Sequence, residues 1–253
     1  MSCITIRNCC IGEGKPNVII PIVEHTEAAI LQKAAEFSTL SADCVEWRVD
    51  LFELAKDLRA VAHDAAKLRV ALKDKLLLVT FRTKSEGGSA ALSREEYIRF
   101  IRTVLATDCA DLIDIEFFTA GADLPGLIED AHTAGVKVVC SSHDFHKTPP
   151  CAELVSRMTA MQEAGADLPK LAVMPTCRAD VIALLAATAE MADHHPETPV
   201  ITMSMGTLGA VSRLCGEAFG SAMTFANPGA ASAPGQVPLD VVNEVLESLH
   251  AER

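Results

Sequence analysis

Eight short apolar segments recur along the chain, and longer amphipathic segments separate them. Consecutive segments begin roughly 22 to 35 residues apart, which is the period of a strand followed by a helix. The predicted strands are residues 17–23, 43–49, 76–82, 111–117, 136–142, 169–175, 199–205 and 221–226. Nearly continuous apolar runs are typical of parallel strands that are buried on both faces. Eight such units in 253 residues predict an α/β fold, a (β/α)8 TIM barrel.

The segments between the strands carry apolar residues three and four positions apart, the spacing of an amphipathic helix. The predicted helices are residues 26–37, 54–72, 93–107, 152–165 and 178–195. Thr26 and Ser93 are suitable N-caps, and Glu96 completes a capping box with Ser93. Gly135 and Gly165 follow helical segments, as glycines that end helices do.

A doubly wound sheet is the alternative fold, but such a sheet usually carries a glycine-rich turn after its first strand. The sequence after residue 23 has no such turn. No linker divides the chain, so we expect a single barrel domain over residues 1–253. Residues 1–16 are predicted to form a short N-terminal β-hairpin with Gly12 and Gly14 in its turn, capping the bottom of the barrel.

The composition argues against several classes of protein. A net charge of −12 disfavours a nucleic-acid-binding protein, which normally presents a basic face. No apolar run is long enough to span a bilayer, so no membrane association is expected. Residues 1–16 also lack the long apolar stretch of a signal peptide.

The nine cysteines form no C-x-x-C pair, and most of them lie inside apolar segments. Cysteines used in this way are usually reduced core residues, which predicts a cytoplasmic location. Cys9 and Cys10 are adjacent and are predicted to point to opposite faces of a strand. A redox-active pair is the alternative interpretation of these two residues.

Polar residues stand at the carboxyl ends of the predicted strands, where the active site of a TIM barrel lies. They are Glu46 and Arg48, Arg82 and Glu86, Asp114 and Glu116, His143 and Asp144, Arg213, and finally Ser232 and Gln236. Several of them also have a structural explanation. Glu46 and Arg48 lie two residues apart, on one face of a strand, and suit an ion pair. His143 suits a hydrogen-bonded core histidine, and Glu86 suits a carboxylate at a helix entry.

Lys170 lies inside an otherwise apolar predicted strand. Burial disfavours a charged amine, and nearby arginines add like charge, so we expect the pKa of Lys170 to fall. A neutral amine is a nucleophile toward a carbonyl carbon, and the product is a Schiff base. The structural alternative is a lysine at the edge of the strand that reaches back to solvent.

Arg48, Arg82 and Arg213 are predicted at the same mouth of the barrel, although the net charge of the chain is negative. They favour an anionic or hydroxylated small substrate, because the planar guanidinium group matches a carboxylate.

A metal site is not expected. His143 and His146 are three residues apart, but Pro149 and Pro150 close the segment as a loop. The sequence offers no third ligand with a zinc-like spacing, which also disfavours a metal-dependent hydrolase.

Six segments together resemble type I 3-dehydroquinate dehydratase, the Schiff-base-forming dehydratase of the shikimate pathway. They are EWRVD, FRTKSEGG, SHDFHKTP, LPKLAVMP, MSMG followed by SRL, and SAPGQ, in order between about residue 17 and the C-terminus. The resemblance implies a (β/α)8 barrel that acts as a lyase (a hydro-lyase) and forms a homodimer. It also implies no organic cofactor and no metal.

The resemblance assigns roles to individual residues. Lys170 matches the lysine that forms the imine with 3-dehydroquinate, on the way to 3-dehydroshikimate. His143 matches the general acid and base, for which a pKa near the ordinary value of about 6.5 is suitable. Glu86 matches the carboxylate that orients this histidine. The residues that match substrate-binding groups are Glu46, Arg48, Arg82, Arg213, Ser232, Gln236, Met203, Met205 and Phe225.

There are two departures from the family pattern, Glu24 and Ser142, and neither replaces a residue to which the resemblance assigns a role. A class I aldolase is an alternative, because it also forms an imine and because residues 203–214 carry glycines and an arginine suited to phosphate. A non-catalytic barrel is a second alternative, although all three candidate catalytic residues are present. Biosynthesis of aromatic compounds and breakdown of quinate share this reaction, and the sequence does not separate them.

Overall fold

Eight parallel strands follow one another around a barrel in chain order, as the repeating pattern predicts. The structure is a computed structural model that describes residues 2–229 and 233–250. Its strands are β1 Ile4–Ile6, β2 Cys9–Ile11, β3 Asn17–Ile22, β4 Cys44–Arg48, β5 Leu76–Thr80, β6 Leu112–Glu116, β7 Lys137–Asp144, β8 Leu168–Val173, β9 Ile201–Ser204, β10 Met223–Asn227 and β11 Val237–Pro238.

The large sheet has the order β11-β10-β3-β4-β5-β6-β7-β8-β9. A parallel bridge between Val200 and Ser221 joins the entry of β9 to that of β10 and closes the barrel. The amide of Ala222 donates to the carbonyl of Val200 at 2.8 Å in the same place. The predicted TIM barrel is therefore confirmed, and each predicted strand lies within two residues of its observed bounds.

The helices are α1 Glu27–Phe37, α2 Leu58–Leu72, α3 Arg94–Leu105, α4 Phe117–Ala120, α5 Leu124–Thr133, α6 Cys151–Glu163, α7 Arg178–His194, α8 Gly206–Gly209, α9 Gly216–Phe219 and α10 Leu239–Leu249. All five predicted helices are confirmed. Helix α2 begins four residues later than predicted, because Asp57 caps it by accepting from the amides of Arg59 and Ala60. The bounds of helix α5 are not predicted, although Gly135 indicates a helix before it, since Pro125 and Gly126 interrupt the pattern. No helix in residues 2–229 and 233–250 combines the length and apolarity needed to cross a bilayer.

The predicted caps and stops are also observed. The hydroxyl of Thr26 accepts from the amide of Ala29, and Ser93 and Glu96 form the reciprocal capping box. Gly135 and Gly165 adopt φ values of +74° and +97° just beyond α5 and α6. Such left-handed conformations favour glycine, which explains why these helices end there.

The N-terminal hairpin is present, but its turn differs from the prediction. Strands β1 and β2 pair through Ile6 and Cys9, so the turn is formed by Arg7 and Asn8, with Arg7 at φ 51°. Gly12 follows the hairpin, and a side chain there would meet the carbonyl of Ser2 at 2.5 Å. The expected glycine turn is therefore wrong, because the left-handed position is occupied by an arginine.

The hairpin closes the bottom of the barrel, as predicted. Ile6 and Ile11 are buried among side chains from the entries of the barrel strands, including those of Ile19 and Leu112. Arg7 forms an ion pair with Asp111, at the entry of β6. Burial of the two isoleucines and this ion pair attach the hairpin to the barrel.

Three aspartates fix the register of the strands at the same end. Each precedes a strand and accepts a hydrogen bond from the backbone amide of the neighbouring strand. The pairs are Asp43 with Val18 at 2.7 Å, Asp111 with Leu77 at 2.8 Å and Asp167 with Val138 at 2.8 Å. Because a shift of one residue would turn every side chain to the other face, these bonds determine which residues point inward at the top.

The cysteines differ in part from the expectation. Cys3 and Cys10 form a disulfide, since the hairpin brings their Cα atoms to 6.3 Å. The expectation of reduced cysteines is therefore wrong for these two. The other seven are free, and Cys44 and Cys140 are buried core residues.

Candidate active site

A cavity of about 220 Å³ opens at the carboxyl ends of the barrel strands. Its lining residues are Glu46, Arg48, Arg82, Glu86, Gly87, His143, Phe145, Lys170, Ala172, Met203, Met205, Arg213, Phe225, Ala233, Pro234 and Gln236. Every residue to which the resemblance assigns a role lies in this set except Ser232, which falls outside the described residues. Asp114, Glu116 and Asp144, the other polar residues at the strand ends, do not line the cavity. One cavity thus collects side chains from strands that are far apart in the sequence.

Lys170 points inward from the middle of β8 and is 3% exposed. Its Nζ lies 3.4 Å from Oδ2 of Asp114 and 4.5 Å from the ring centroid of Phe225. Burial lowers the pKa of Lys170, and Arg82 acts in the same direction, whereas the carboxylates of Asp114 and Glu46 oppose the shift. The direction agrees with the expectation from the sequence, and the strand-edge alternative does not hold.

His143 and Glu86 form a directed hydrogen bond. Nδ1 of His143 lies 2.9 Å from Oε2 of Glu86, and the same oxygen accepts from the backbone amide of His143 at 3.0 Å. Because Oε2 accepts from the amide, Nδ1 is the ring nitrogen that carries the proton in the neutral histidine. Nε2 is then unprotonated and is free to accept a proton in the cavity.

Burial changes the proton affinity of both partners in this pair. It lowers the pKa of His143 well below its ordinary value of 6.5, and Arg82 adds to this effect. It raises the pKa of Glu86 to about 8, although Arg82 pulls in the opposite direction. Within the described residues Oε1 of Glu86 has no hydrogen-bond partner, so a proton held there leaves both bonds to Oε2 intact. The expected pKa near 6.5 for His143 is therefore wrong, because the sequence does not reveal the burial.

Phe145 covers this pair from the loop that follows β7. Its ring stacks beside His143 with 6.5 Å between the ring centroids. A side chain at Gly87 would meet the Phe145 ring at 2.3 Å, so only glycine admits the ring at this position. Phe145 and Gly87 were not predicted as site residues, because an aromatic residue in a loop and a glycine in a turn carry no specific signal.

Arg82 is held by carboxylates on both of its terminal nitrogens. Nη1 donates to Glu116 at 2.8 Å, and Nη2 donates to Asp114 at 2.7 Å. Nη1 also donates to the hydroxyl of Ser141 at 3.0 Å. Asp114 and Glu116 stand out in the sequence as charged residues in an apolar strand, but their partner is 32 or more residues away and is visible only in the structure.

Arg48 and Glu46 do not pair with each other. Arg48 forms a bidentate contact with Asp50, at 2.8 and 2.9 Å. Glu46 instead accepts a hydrogen bond from the hydroxyl of Thr80 at 2.9 Å. The ion pair suggested by their spacing is therefore absent, and both side chains line the cavity separately.

Arg213 differs from the other two arginines. It is 1% exposed, yet its described contacts are a sulfur, Met203 Sδ, at 3.6 Å and a carbonyl, Pro234 O, at 3.3 Å. Its Nε has no partner within residues 2–229 and 233–250. Burial lowers the pKa of Arg213 to about 10. A buried guanidinium group without a carboxylate partner is suited to receive an anion from the cavity.

Groups that offer metal ligands lie elsewhere in the described residues. One group contains Glu27, His63 and Asp64, and the other contains Glu13 with Cys3 and Cys10, whose sulfurs are joined in the disulfide and are not thiolate ligands. None of these residues lines the cavity.

Asp144 and His146 shape the loop after β7. Oδ1 of Asp144 accepts hydrogen bonds from the amides of His146 and Lys147, at 2.9 and 3.0 Å. This loop therefore folds around Asp144, and His146 and Lys147 do not line the cavity.

Comparison with known proteins finds a matching family model and similar relatives. The family model for type I 3-dehydroquinase matches residues 18–253. The chain is 46% identical to the 3-dehydroquinate dehydratase of Bacillus subtilis, over 99% of this chain and 98% of that protein.

Solved structures agree with this match. A type I 3-dehydroquinate dehydratase from Clostridium difficile with covalently modified comenic acid superposes with a TM-score of 0.95, at 43% identity and 98% coverage of both chains. The 3-dehydroquinate dehydratase of Enterococcus faecalis superposes with a TM-score of 0.92 at 40% identity, over 98% of this chain and all of that one.

The lowered pKa of His143 predicts an imidazole that stays neutral as the pH falls from 8 to 6. In ¹⁵N-labelled protein, the ring signals of His143 should change little over this range. Because burial is the largest cause, Phe145→Ala should admit water and move the transition to higher pH. A complete transition centred near pH 6.5 in the unsubstituted protein would contradict the assignment.

Proposed function

The chain belongs to the type I 3-dehydroquinase family of hydro-lyases, and on that basis we propose that it dehydrates 3-dehydroquinate to 3-dehydroshikimate through an imine on Lys170. The reaction is a step of the shikimate pathway. The observation that carries the proposal is one cavity that combines a buried amine of lowered pKa, a histidine of lowered pKa and a guanidinium group that has no acidic partner among the described residues.

Lys170 supplies the nucleophile. Its neutral amine attacks the C3 ketone, and loss of one water gives an imine, which is protonated to an iminium. The iminium withdraws electrons from C2 and acidifies the hydrogens there. A modest base is then strong enough to remove one of them.

His143 moves the protons. Nε2 takes a proton from C2, and the resulting imidazolium delivers a proton to the C1 hydroxyl, which leaves as water. Glu86 holds Nδ1 at 2.9 Å and so keeps Nε2 directed at the substrate. Hydrolysis of the imine returns the amine and releases the product, so that the net change is the loss of one water.

Arg213 binds the substrate carboxylate in this proposal, and Ser232 and Gln236 assist it. Its unpartnered Nε and the absence of an acidic neighbour among the described residues support this role. The ring hydroxyls are assigned to Glu46, Arg48 and Arg82, and the apolar wall to Met203, Met205 and Phe225.

The loop around Pro234 closes the cavity next to Arg213. The carbonyl of Pro234 accepts from Nη2 of Arg213 at 3.3 Å and from the amide of Gly206 at 3.1 Å. Gly235 adopts φ +78°, and a side chain there would meet the carbonyl of Gly206 at 2.2 Å. This close approach supports a role of the loop in excluding water from the reacting groups.

The imine predicts a covalent adduct that borohydride traps. Incubation with 3-dehydroquinate and borohydride should add the mass of the reduced substrate to a peptide containing Lys170. Lys170→Ala should abolish the adduct, whereas His143→Ala should still form it while turnover falls by about 100-fold or more. A phosphorylated ketose is the control substrate, because a class I aldolase would bind it. The proposal would be excluded if the adduct lay on a peptide without Lys170. It would also be excluded if the ketose gave an adduct and 3-dehydroquinate did not.

The role of Arg213 predicts a binding defect. In Arg213→Gln the KM for 3-dehydroquinate should rise about 10- to 100-fold, because a charge-assisted bond to the carboxylate is lost. The effect on kcat should be smaller, since this contact is present before and during the reaction. The matched control is Arg102→Gln, which removes an exposed arginine paired with Asp130 on α3 and α5. Equal KM values for the two variants would remove Arg213 from the binding site.

We also propose that the protein is a cytoplasmic homodimer, following the family resemblance. The seven free cysteines are compatible with a reducing compartment. Light scattering coupled to gel filtration should give twice the 26.9 kDa of the chain. A mass of a single chain at micromolar concentration would contradict the dimer.

A further inference from the structure

Asp114 contacts the reactive amine, although it does not line the cavity. It lies in β6 and is fully buried. Its Oδ2 accepts from Lys170 at 3.4 Å and from Arg82 at 2.7 Å, and its Oδ1 accepts from the hydroxyl of Ser141 at 2.7 Å. Both oxygens are therefore occupied, and one of them faces the nucleophile of the proposed reaction.

Asp114 is held in its ionised form. Burial alone would raise the pKa of this carboxyl, but Arg82, Lys170 and the hydrogen bond from Ser141 together lower the pKa below its ordinary value. A carboxylate of this kind neither donates nor accepts a proton near neutral pH. It provides a fixed negative charge, which distinguishes it from Glu86.

We propose that Asp114 is a positioning residue that holds the Lys170 amine in the inner barrel and serves as the counter-ion of the iminium formed from it. The inference rests on the proposed role of Lys170 as the nucleophile. It goes beyond that role because it assigns the stabilisation of the cationic intermediate to a residue outside the cavity lining.

One carboxylate affects two steps in opposite ways. Before the attack, its charge favours the protonated amine, while burial and Arg82 favour the neutral amine that reacts. After the attack, the nitrogen becomes part of a cationic iminium, and the same charge stabilises it. Because Asp114 is already oriented by Arg82 and Ser141, no rearrangement is needed when the positive charge develops.

Glu116 provides the matched comparison. It lies in the same strand, is equally buried and also accepts from Arg82, at 2.8 Å. The other described partners of its carboxylate are the hydroxyls of Thr83 and Thr119 and the amide of Thr83, so this carboxylate makes no described contact with Lys170. The two carboxylates thus differ in the one contact on which the proposal depends.

The first test measures the proton affinity of Lys170 without any substrate. The rate at which acetic anhydride modifies the Lys170 peptide is followed by mass spectrometry as a function of pH. In Asp114→Asn the profile should move to lower pH by about one unit or more, because a carboxylate that favours the protonated amine is gone. In Glu116→Gln the displacement should be smaller.

A merely structural role gives the opposite result. If loss of Asp114 only loosened the barrel, water would reach Lys170 and its profile would move to higher pH. An unchanged or upward-shifted profile in Asp114→Asn therefore overturns the proposal. Should that variant not fold, Asp114→Glu retains the charge, and its profile should stay at or above that of the unsubstituted protein. A downward shift in Asp114→Glu would also overturn the proposal.

The second test follows the intermediate. With 3-dehydroquinate and borohydride, Asp114→Asn should trap at least about tenfold less adduct at equal substrate saturation, and kcat should fall with it. Equal trapping in Asp114→Asn and in the unsubstituted protein refutes the counter-ion role. If the unsubstituted protein traps no adduct while the labelling profile of Asp114→Asn still shifts, the proposed reaction fails and the pairing of Asp114 with Lys170 stands.

Discussion

The burial of one amine inside the barrel is the constraint on which the rest of the site depends. Lys170 occupies a strand position where TIM barrels normally pack branched apolar side chains, and an uncompensated charge at such a depth is strongly unfavourable. Three groups around the Lys170 amine compensate for its burial. They are the carboxylate of Asp114 at 3.4 Å, the ring of Phe225 at 4.5 Å and the more distant carboxylate of Glu46. These contacts hold the amine in place, while its pKa stays below the ordinary value of a lysine.

The charges around that amine fall into two functional kinds. Arg82 and Arg48 are bound by neighbouring carboxylates and have fixed positions, so they set the local field and shape the cavity. Arg213 has no carboxylate partner among the described residues, so its charge is available to a ligand. The sequence presents the three arginines as equivalent. In the structure the three arginines differ in whether a carboxylate of the protein binds them. One arginine without such a partner is enough to bind a substrate that carries one carboxylate.

The sequence predicts the barrel and the position of the cavity well, because both follow from local patterns. The strands appear in the sequence as continuous apolar segments. The polar residues at their carboxyl ends meet at one end of the barrel. The sequence shows Asp114 as a polar strand residue, but its role depends on Lys170, which lies 56 positions further along the chain and two strands away. The hairpin turn differs from the predicted one because Arg7, and not a glycine, adopts the left-handed conformation. The pKa of His143 was misjudged because burial is a property of the assembled barrel.

The two ends of the barrel have different roles: the bottom stabilises the fold, and the top carries the candidate active site. At the bottom, Asp43, Asp111 and Asp167 have hydrogen-bond donors from the neighbouring strands, and the hairpin seals the interior. At the top, Oε1 of Glu86 and Nε of Arg213 are buried without a partner in the described residues, and both side chains line the cavity. Unpartnered buried polar atoms destabilise a fold unless something satisfies them. Because both side chains line the same cavity as Lys170, a hydroxylated carboxylic acid bound there could supply the missing hydrogen-bond partners. The hydrogen bonds at the strand entries help the barrel to tolerate these two unpartnered atoms.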